Sequence, residues 1–425
     1  MNESKVVVKL AIVLWLQAFV VLIIPAARAN MQDDALERQL KRIETITSDM
    51  RQLWMDDVPL REYHSREAMI LLFDAEQPDM DWLGYDPLIQ FYLAFDLIDP
   101  TVDLYAITAQ MNGENVGGYF DLDTSTINLV LSQGDDPGSA LDYREEMMYV
   151  HEYTHALQDA NFNVLDLFHV AYHQPEGDVA LRSLIEGDAM FTQHLYMNAA
   201  LGVHPDTQSI LQMTLLDANT LSSLPVPPVI LSELYLPYLD GMNFVKALYQ
   251  VDGWETVNAA YDNPPVSTEH ILHPDRYLAG DMPIEVEIAP MPDILRGEWT
   301  LVTTGTLGEF YLRQYLSTQL DRMTVDQAAT GWGGDRYRLF YNVDTDQRAW
   351  VLVSVWDTPT DQAEFSAAYA AFMTERTNRQ PISYDGADCW RAVDGVYCLH
   401  QTDSLIVGYA PSLKEAIALV NFQVQ

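Results

Sequence analysis

Cysteine is scarce: Cys389 and Cys398 are the only two in 425 residues. One disulfide is therefore the most this chain can form, and the lack of a cysteine directly after the N-terminal apolar run argues against a lipid-anchored lipoprotein. Basic residues are also few, 23 Lys and Arg against 62 Asp and Glu, a formal net charge of −39. A surface this acidic repels nucleic acid and anionic lipid, which removes nucleic acid as a partner. It suits solubility in saline or acidic surroundings and favours cationic substrates. There is no internal repeat, no low-complexity tract and no second long apolar run. A hydrophobic content of 48% and an aromatic content of 11% are enough to build cores, so the charge does not signal disorder.

The one long apolar run is Leu10 to Ile24, preceded by Lys5 and Lys9 and followed by Ala27-Arg28-Ala29. This is the pattern of a secretory signal with small residues where a signal peptidase reads, so residues 1–29 are expected to be removed and the protein to be secreted or extracytoplasmic. If the segment stays uncleaved it approaches a marginal span, and the protein is tethered to a membrane through it.

What is present is His151-Glu152-Tyr153-Thr154-His155, the H-e-x-x-H pattern, inside a run from Arg144 to Asp159 without Gly or Pro. Histidines four apart stand one above the other on a helix, so both imidazoles reach one metal ion. Glu152, one step round, can then act as general base toward an activated water. Two satisfied core histidines on an apolar helix are the plainer alternative. A third ligand is needed. Metzincins place Gly three and His six residues after the second histidine, but here those positions are Gln158 and Asn161, which excludes that class. The remaining donors downstream are His169, His173, Glu176, Glu186 and His194. Glu186 lies in a stretch, Val179 to Tyr196, whose apolar positions recur at helical spacing, so it would project from a second packed helix. His169 and His173 lie near Pro175 and Gly177 and make poorer rigid ligands; His173 is the alternative to Glu186.

The segments His151 to Asp159 and Leu184-Ile-Glu-Gly-Asp-Ala189 together resemble the gluzincins, zinc peptidases with a glutamate as third ligand, of which thermolysin is the familiar member. A group of secreted bacterial proteins classed as metallopeptidases is more similar still, sharing segments like Gly118-Tyr-Phe-Asp121, Ser267 to Tyr277 and Gly331-Trp-Gly-Gly-Asp-Arg336. The resemblance implies Zn²⁺ held by His151, His155 and Glu186, with Glu152 as general base and acid. Thermolysin-like enzymes carry an Asp four residues after the glutamate ligand. Here that position is Met190, so Asp159 or a main-chain carbonyl is left to orient the histidines. The interval from His155 to Glu186 is also longer, which implies an inserted loop around Asn161 to Asp178.

Weaker signals surround this core. Gly117 to Leu131 reads as a hairpin, placed either to pair with an extended substrate by strand addition or simply to fill a core. In Val266 to Tyr277, two histidines three apart follow a Ser/Thr cap and precede Pro274. His273 is the candidate donor to the developing oxyanion, with Tyr277 and Tyr238 behind it; a loop-tying histidine is the alternative.

These readings predict an α+β chain with a zincin-like catalytic domain over residues 30–329 and a small C-terminal ββαββα domain over 330–425. In that domain Tyr337 to Asn342 and Ala349 to Trp356 read as strands, Asp361 to Glu375 as a helix, Cys389 to Val393 and Val396 to Gln401 as a hairpin, and Ser412 to Val420 as a last helix. Trp332, Trp356 and Trp390 read as core aromatics. An oxidising compartment favours a Cys389–Cys398 disulfide. A two-residue Asp394-Gly395 turn would set Cys389 opposite His400, whereas a four-residue loop from Ala392 to Gly395 sets it opposite Cys398, so the bridge selects the longer loop. The expected function is a secreted zinc peptidase acting on peptide or protein substrates. A secreted zinc-containing binding protein without turnover, or a membrane-anchored envelope protease, are the alternatives. The sequence sets no oligomeric state.

Overall fold

The computed structural model describes residues 33–75, 86–171, 175–202, 225–290, 299–423 and the single positions 292, 295 and 297. The expected signal segment, His173 and the helical pattern around Ile210 to Leu215 lie outside the described residues. The chain is mixed α and β and divides into two compact units. The first comprises residues 1–79, 103–172 and 178–265, and the second comprises 80–102, 173–177 and 266–425.

In the first unit, α1 (Asp33–Arg51), α2 (Arg66–Ala75) and α4 (Leu104–Asn115) accompany a three-stranded sheet. Its order is β1 (Leu60–His64), β3 (Thr126–Val130), β2 (Gly118–Asp121). The expected hairpin is present as the antiparallel β2–β3 pair, while β1 joins β3 in parallel. β2 is thus a sheet edge among the described residues.

Helix α5 (Tyr143–Phe162) begins at a capping box in which the Asp142 side chain accepts from the Glu145 N–H and Glu145 returns the bond. It ends at Asn163 in the left-handed region. Every residue from Glu145 to Gln158 is buried, so the polar groups on this helix must find partners inside the protein. The expected insertion is partly helical, as α6 (Val164–Ala171). After it come α7 (Pro175–Leu201), α8 (Pro228–Asp252) and α9 (Trp254–Asp262). Helices α7 and α8 cross where Gly187 meets Gly241: a Cβ on Gly187 would overlap the Gly241 carbonyl, and one on Gly241 would overlap the Ser183 carbonyl. Only glycine at both positions lets the two backbones approach this closely.

The second unit is built on a seven-stranded sheet, order β4-β5-β6-β10-β9-β8-β7, with every neighbouring pair antiparallel. The strands are β4 (Thr300–Gly305), β5 (Trp332–Asn342), β6 (Gln347–Trp356), β7 (Ile382–Tyr384), β8 (Ala387–Arg391), β9 (Val396–Gln401) and β10 (Leu405–Ala410). The helices are α3 (Pro87–Ala94), α10 (Thr268–Leu272), α11 (Pro274–Ala279), α12 (Gly308–Ser317), α13 (Arg322–Ala329), α14 (Pro359–Thr377) and α15 (Leu413–Gln423). One sheet face carries an aromatic core: Phe95 from the α3 segment lies near Tyr337 and Trp350, and Tyr315 near Phe372. On the other, Phe340, Val351, Val353 and Ile406 cluster with Leu295, Trp299 and α15 residues such as Val420. Trp332, Trp356 and Trp390 are buried as expected.

Three expectations change. The pattern is ββαββββα rather than ββαββα, since β7 and β10 are additional strands. β4 hydrogen-bonds to β5, so a boundary at Ala329–Thr330 would cut through one sheet, and the α3 segment belongs to this unit as well. Pro274 starts a helix, α11, as well as following one. The longer hairpin loop is the one formed: Cys389 stands opposite Cys398, and the two are disulfide-bonded.

Candidate functional site

Two helices of the first unit bring three donor atoms together. On α5, His151 Nε2 and His155 Nε2 lie 3.1 Å apart. From α7, Glu186 Oε2 stands 3.1 Å from the first and 3.4 Å from the second. All three side chains are buried. Acceptor atoms crowded in this way repel one another, and one shared proton can satisfy only one edge of the triangle. A cation at its centre satisfies all three. Tetrahedral coordination with bonds of about 2.0–2.1 Å places ligand atoms about 3.3 Å apart, which these three edges match.

The surroundings prepare the atoms for that role. Gln158 donates from Nε2 to the Ile185 carbonyl at 2.9 Å, which turns its Oε1 toward His155 Nδ1 at 2.8 Å. Nδ1 must then carry the proton, and Nε2 offers its lone pair inward. The expectation that Asp159 or a main-chain carbonyl orients this ring is replaced by Gln158, which also ties α5 to the residue before Glu186. His151 Nδ1 is buried without a hydrogen-bond partner among the described residues. Burial lowers the pKa of His151. For His155 burial is outweighed by the Glu186 carboxylate, which pushes it up to about 9. Glu186, despite burial, is held well below the usual carboxylate range by His155 and His151. The triad favours a positive charge among its atoms.

Two further groups approach. Glu152 is buried beside the edge strand: the Phe120 N–H hydrogen-bonds its carboxylate, and a Cβ on Gly118 would press within 3.2 Å of its Cγ. Burial pushes the Glu152 carboxyl up to about 8. Tyr238, on α8, hydrogen-bonds Glu186, and its ring stacks beside His151 with centroids 6.0 Å apart. The Gly187–Gly241 crossing, three residues further along α8, is what brings Tyr238 to the triad.

The other candidates have partners of their own. His273 belongs to the second unit, where its Nε2 meets the buried Glu309 carboxylate at 2.9 Å, and this bond raises its pKa. Its neighbours form a buried polar network within that unit. Thr268 donates N–H and hydroxyl to Glu176 at 2.5 and 2.6 Å, and Arg276 pairs with Glu269 and Asp357. Glu176 therefore belongs to the second unit's packing. His194 shares a hydrogen bond with Asn198, two turns beyond Glu186. Asp188, as expected from its spacing, points away from the triad. It accepts from Arg51 Nε and the Tyr261 hydroxyl, both at 2.7 Å.

Comparison with known proteins adds little. Residues 299–418, in the second unit, match a family model described as Domain of unknown function (DUF8575). No curated protein matches the chain. The chain is similar to a solved structure from Chloroflexus aurantiacus, described as "a putative hydrolase with a novel fold", at 16% identity and a TM-score of 0.36. The similarity covers 60% of this chain and 92% of that one. No helix among the described residues is long and apolar enough to cross a membrane.

Proposed function

We propose that this chain is an exported zinc-dependent peptidase of gluzincin type, with His151, His155 and Glu186 as metal ligands and Glu152 as general base and acid. The observation that carries the reading is the convergence of two imidazole nitrogens and one carboxylate oxygen from α5 and α7, with a buried carboxylate one residue from the first ligand. Two nitrogens and one oxygen with a fourth position left for reactants is a donor set suited to catalytic zinc. When bound, zinc supplies Lewis acidity, making water acidic enough to lose a proton near neutral pH and polarising the scissile carbonyl.

The residues divide the remaining work. Glu152 accepts the proton that water gives up as its oxygen bonds to the carbonyl carbon, and delivers that proton to the amine as the C–N bond breaks. Edge strand β2 offers main-chain groups to an extended polypeptide. Tyr238, bonded to Glu186, acts as a positioning residue for that ligand. Gln158 fixes the His155 tautomer.

The test is hydrolysis of an unstructured polypeptide by the zinc-loaded protein. Glu152→Gln should keep its metal and lose about 100- to 10,000-fold in turnover number. Undiminished cleavage by that variant would refute the assignment of Glu152. The rival reading, a zinc-containing binding protein, predicts no cleavage by either form.

A further inference from the structure

The motif Gly331-Trp-Gly-Gly-Asp-Arg336 plays no part in the metal centre, yet each of its later residues has a definite place in the second unit. Trp332 donates from Nε1 to Asp335 at 2.8 Å, and Asp335 accepts from the Leu307 and Gly308 N–H groups at the start of α12. Gly333 and Gly334 let the extended segment 283–288 lie against β5. The Ile284 N–H bonds the Gly333 carbonyl at 2.7 Å, and a Cβ on Gly334 would overlap the Ile284 carbonyl. At its far end the segment is held by the Gln423 side chain, which accepts from the Ala289 N–H. Val286 and Ile288 anchor it on the adjoining core.

Between this segment and the strands is a cleft of ≈ 460 Å³. Arg336 and Arg338 both line it, as i and i+2 residues on one face of β5 must. In a chain this acidic, arginines find carboxylates readily, and Arg51, Arg61, Arg276, Arg313 and Arg376 all do. Arg336 and Arg338 make no hydrogen bond or close ion pair among the described residues: Arg336 feels the buried Asp335 carboxylate of the same lining only at longer range, and Arg338 Nε is buried with no partner. Thr304 and Thr306, also in the lining, donate their hydroxyls to main-chain carbonyls, which leaves oxygen lone pairs facing a ligand's N–H groups. Glu285 and Glu287 stand exposed on the opposite wall and oppose a second negative charge.

We propose that this cleft binds a compact oxyanion, gripped by the paired guanidinium groups of Arg336 and Arg338, and that the preferred source is the terminal carboxylate of a peptide whose other end is neutral or cationic. Arginine forks match the two oxygens of a carboxylate, and a phosphate presents the same geometry. The exposed apolar surface of Ile284, also in the lining, receives the rest of the molecule.

The full-length protein is titrated calorimetrically with an N-acetylated tripeptide bearing a free C-terminal carboxylate, with its C-terminal amide, and with inorganic phosphate. The free acid should bind and the amide should not. Arg336→Ala and Arg338→Ala should each weaken binding about 10- to 100-fold. Both variants should unfold close to the wild-type temperature, because neither guanidinium makes a hydrogen bond or close ion pair within the protein. Glu186→Ala should bind the free acid as wild type does, which separates the cleft from the metal centre. Binding of phosphate alone would support the oxyanion site with phosphate as its source. The proposal is overturned if neither probe binds at about 10 mM, if affinity survives in the double arginine variant, or if the arginine variants lose thermal stability in place of affinity.

Discussion

At the residue scale, the candidate centre draws two of its three donor atoms and the carboxylate beside them from a single helix. His151, Glu152 and His155 sit within five residues on one helix, so their spacing alone fixes their common face. Glu186 was legible because its own helix has a regular apolar period. Gln158 and Tyr238 were not. Gln158 matters because its amide reaches the Ile185 carbonyl, and Tyr238 because α8 crosses α7; neither contact leaves a trace in spacing. The partner of His273, Glu309, lies 36 residues on and was likewise invisible in the local motif. The role assigned to Gln158 has a direct check. Gln158→Leu keeps the bulk but frees the His155 ring, and should weaken metal binding about 10- to 100-fold in chelator competition. An unchanged affinity would show that the ring is oriented by packing alone.

At the element scale, the proposed metal centre depends on one helix crossing. Gly187→Ala inserts a methyl where α8 backbone already stands, and no side-chain rotation can relieve it. The expected cost is about 1–3 kcal/mol in denaturant unfolding, with weaker metal binding, because Glu186 is the preceding residue and Tyr238 moves with α8. Full stability in Gly187→Ala would mean that the helices can separate without loss. The elements missed from the sequence have physical reasons. All six residues of β10 are buried, so Leu405 to Ala410 shows no period-two alternation and reads as neither strand nor surface. β7 is three exposed residues paired only to β8, too short for any pattern. The hairpin loop, by contrast, was readable once a disulfide was assumed, because register follows from loop length.

At the scale of the whole molecule, the acidity extends inward. Burial pushes Glu176 and Glu269 up to about 8 and Asp335 up to about 6, and hydrogen bonding to Glu309 raises His273. Each of these groups holds its proton more tightly folded than unfolded. Their contribution to stability is complete below the unfolded pKa values and is lost as pH rises through 6 to 8. The second unit should therefore melt lower at about pH 8.5 than at about pH 5.5 in calorimetry, and Glu176→Gln, which keeps an acceptor for Thr268, should flatten part of that slope. A midpoint that rises with pH would contradict these directions. The division into units was only partly legible, because the second is assembled from three separated stretches of chain. The proposed activity rests on the His151, His155 and Glu186 centre, and metal analysis of the purified protein tests it most directly. About one zinc per chain is expected in the wild type and in Glu152→Gln, with occupancy falling sharply in Glu186→Ala. Full zinc occupancy in Glu186→Ala, or none in the wild type after incubation with zinc, would contradict it.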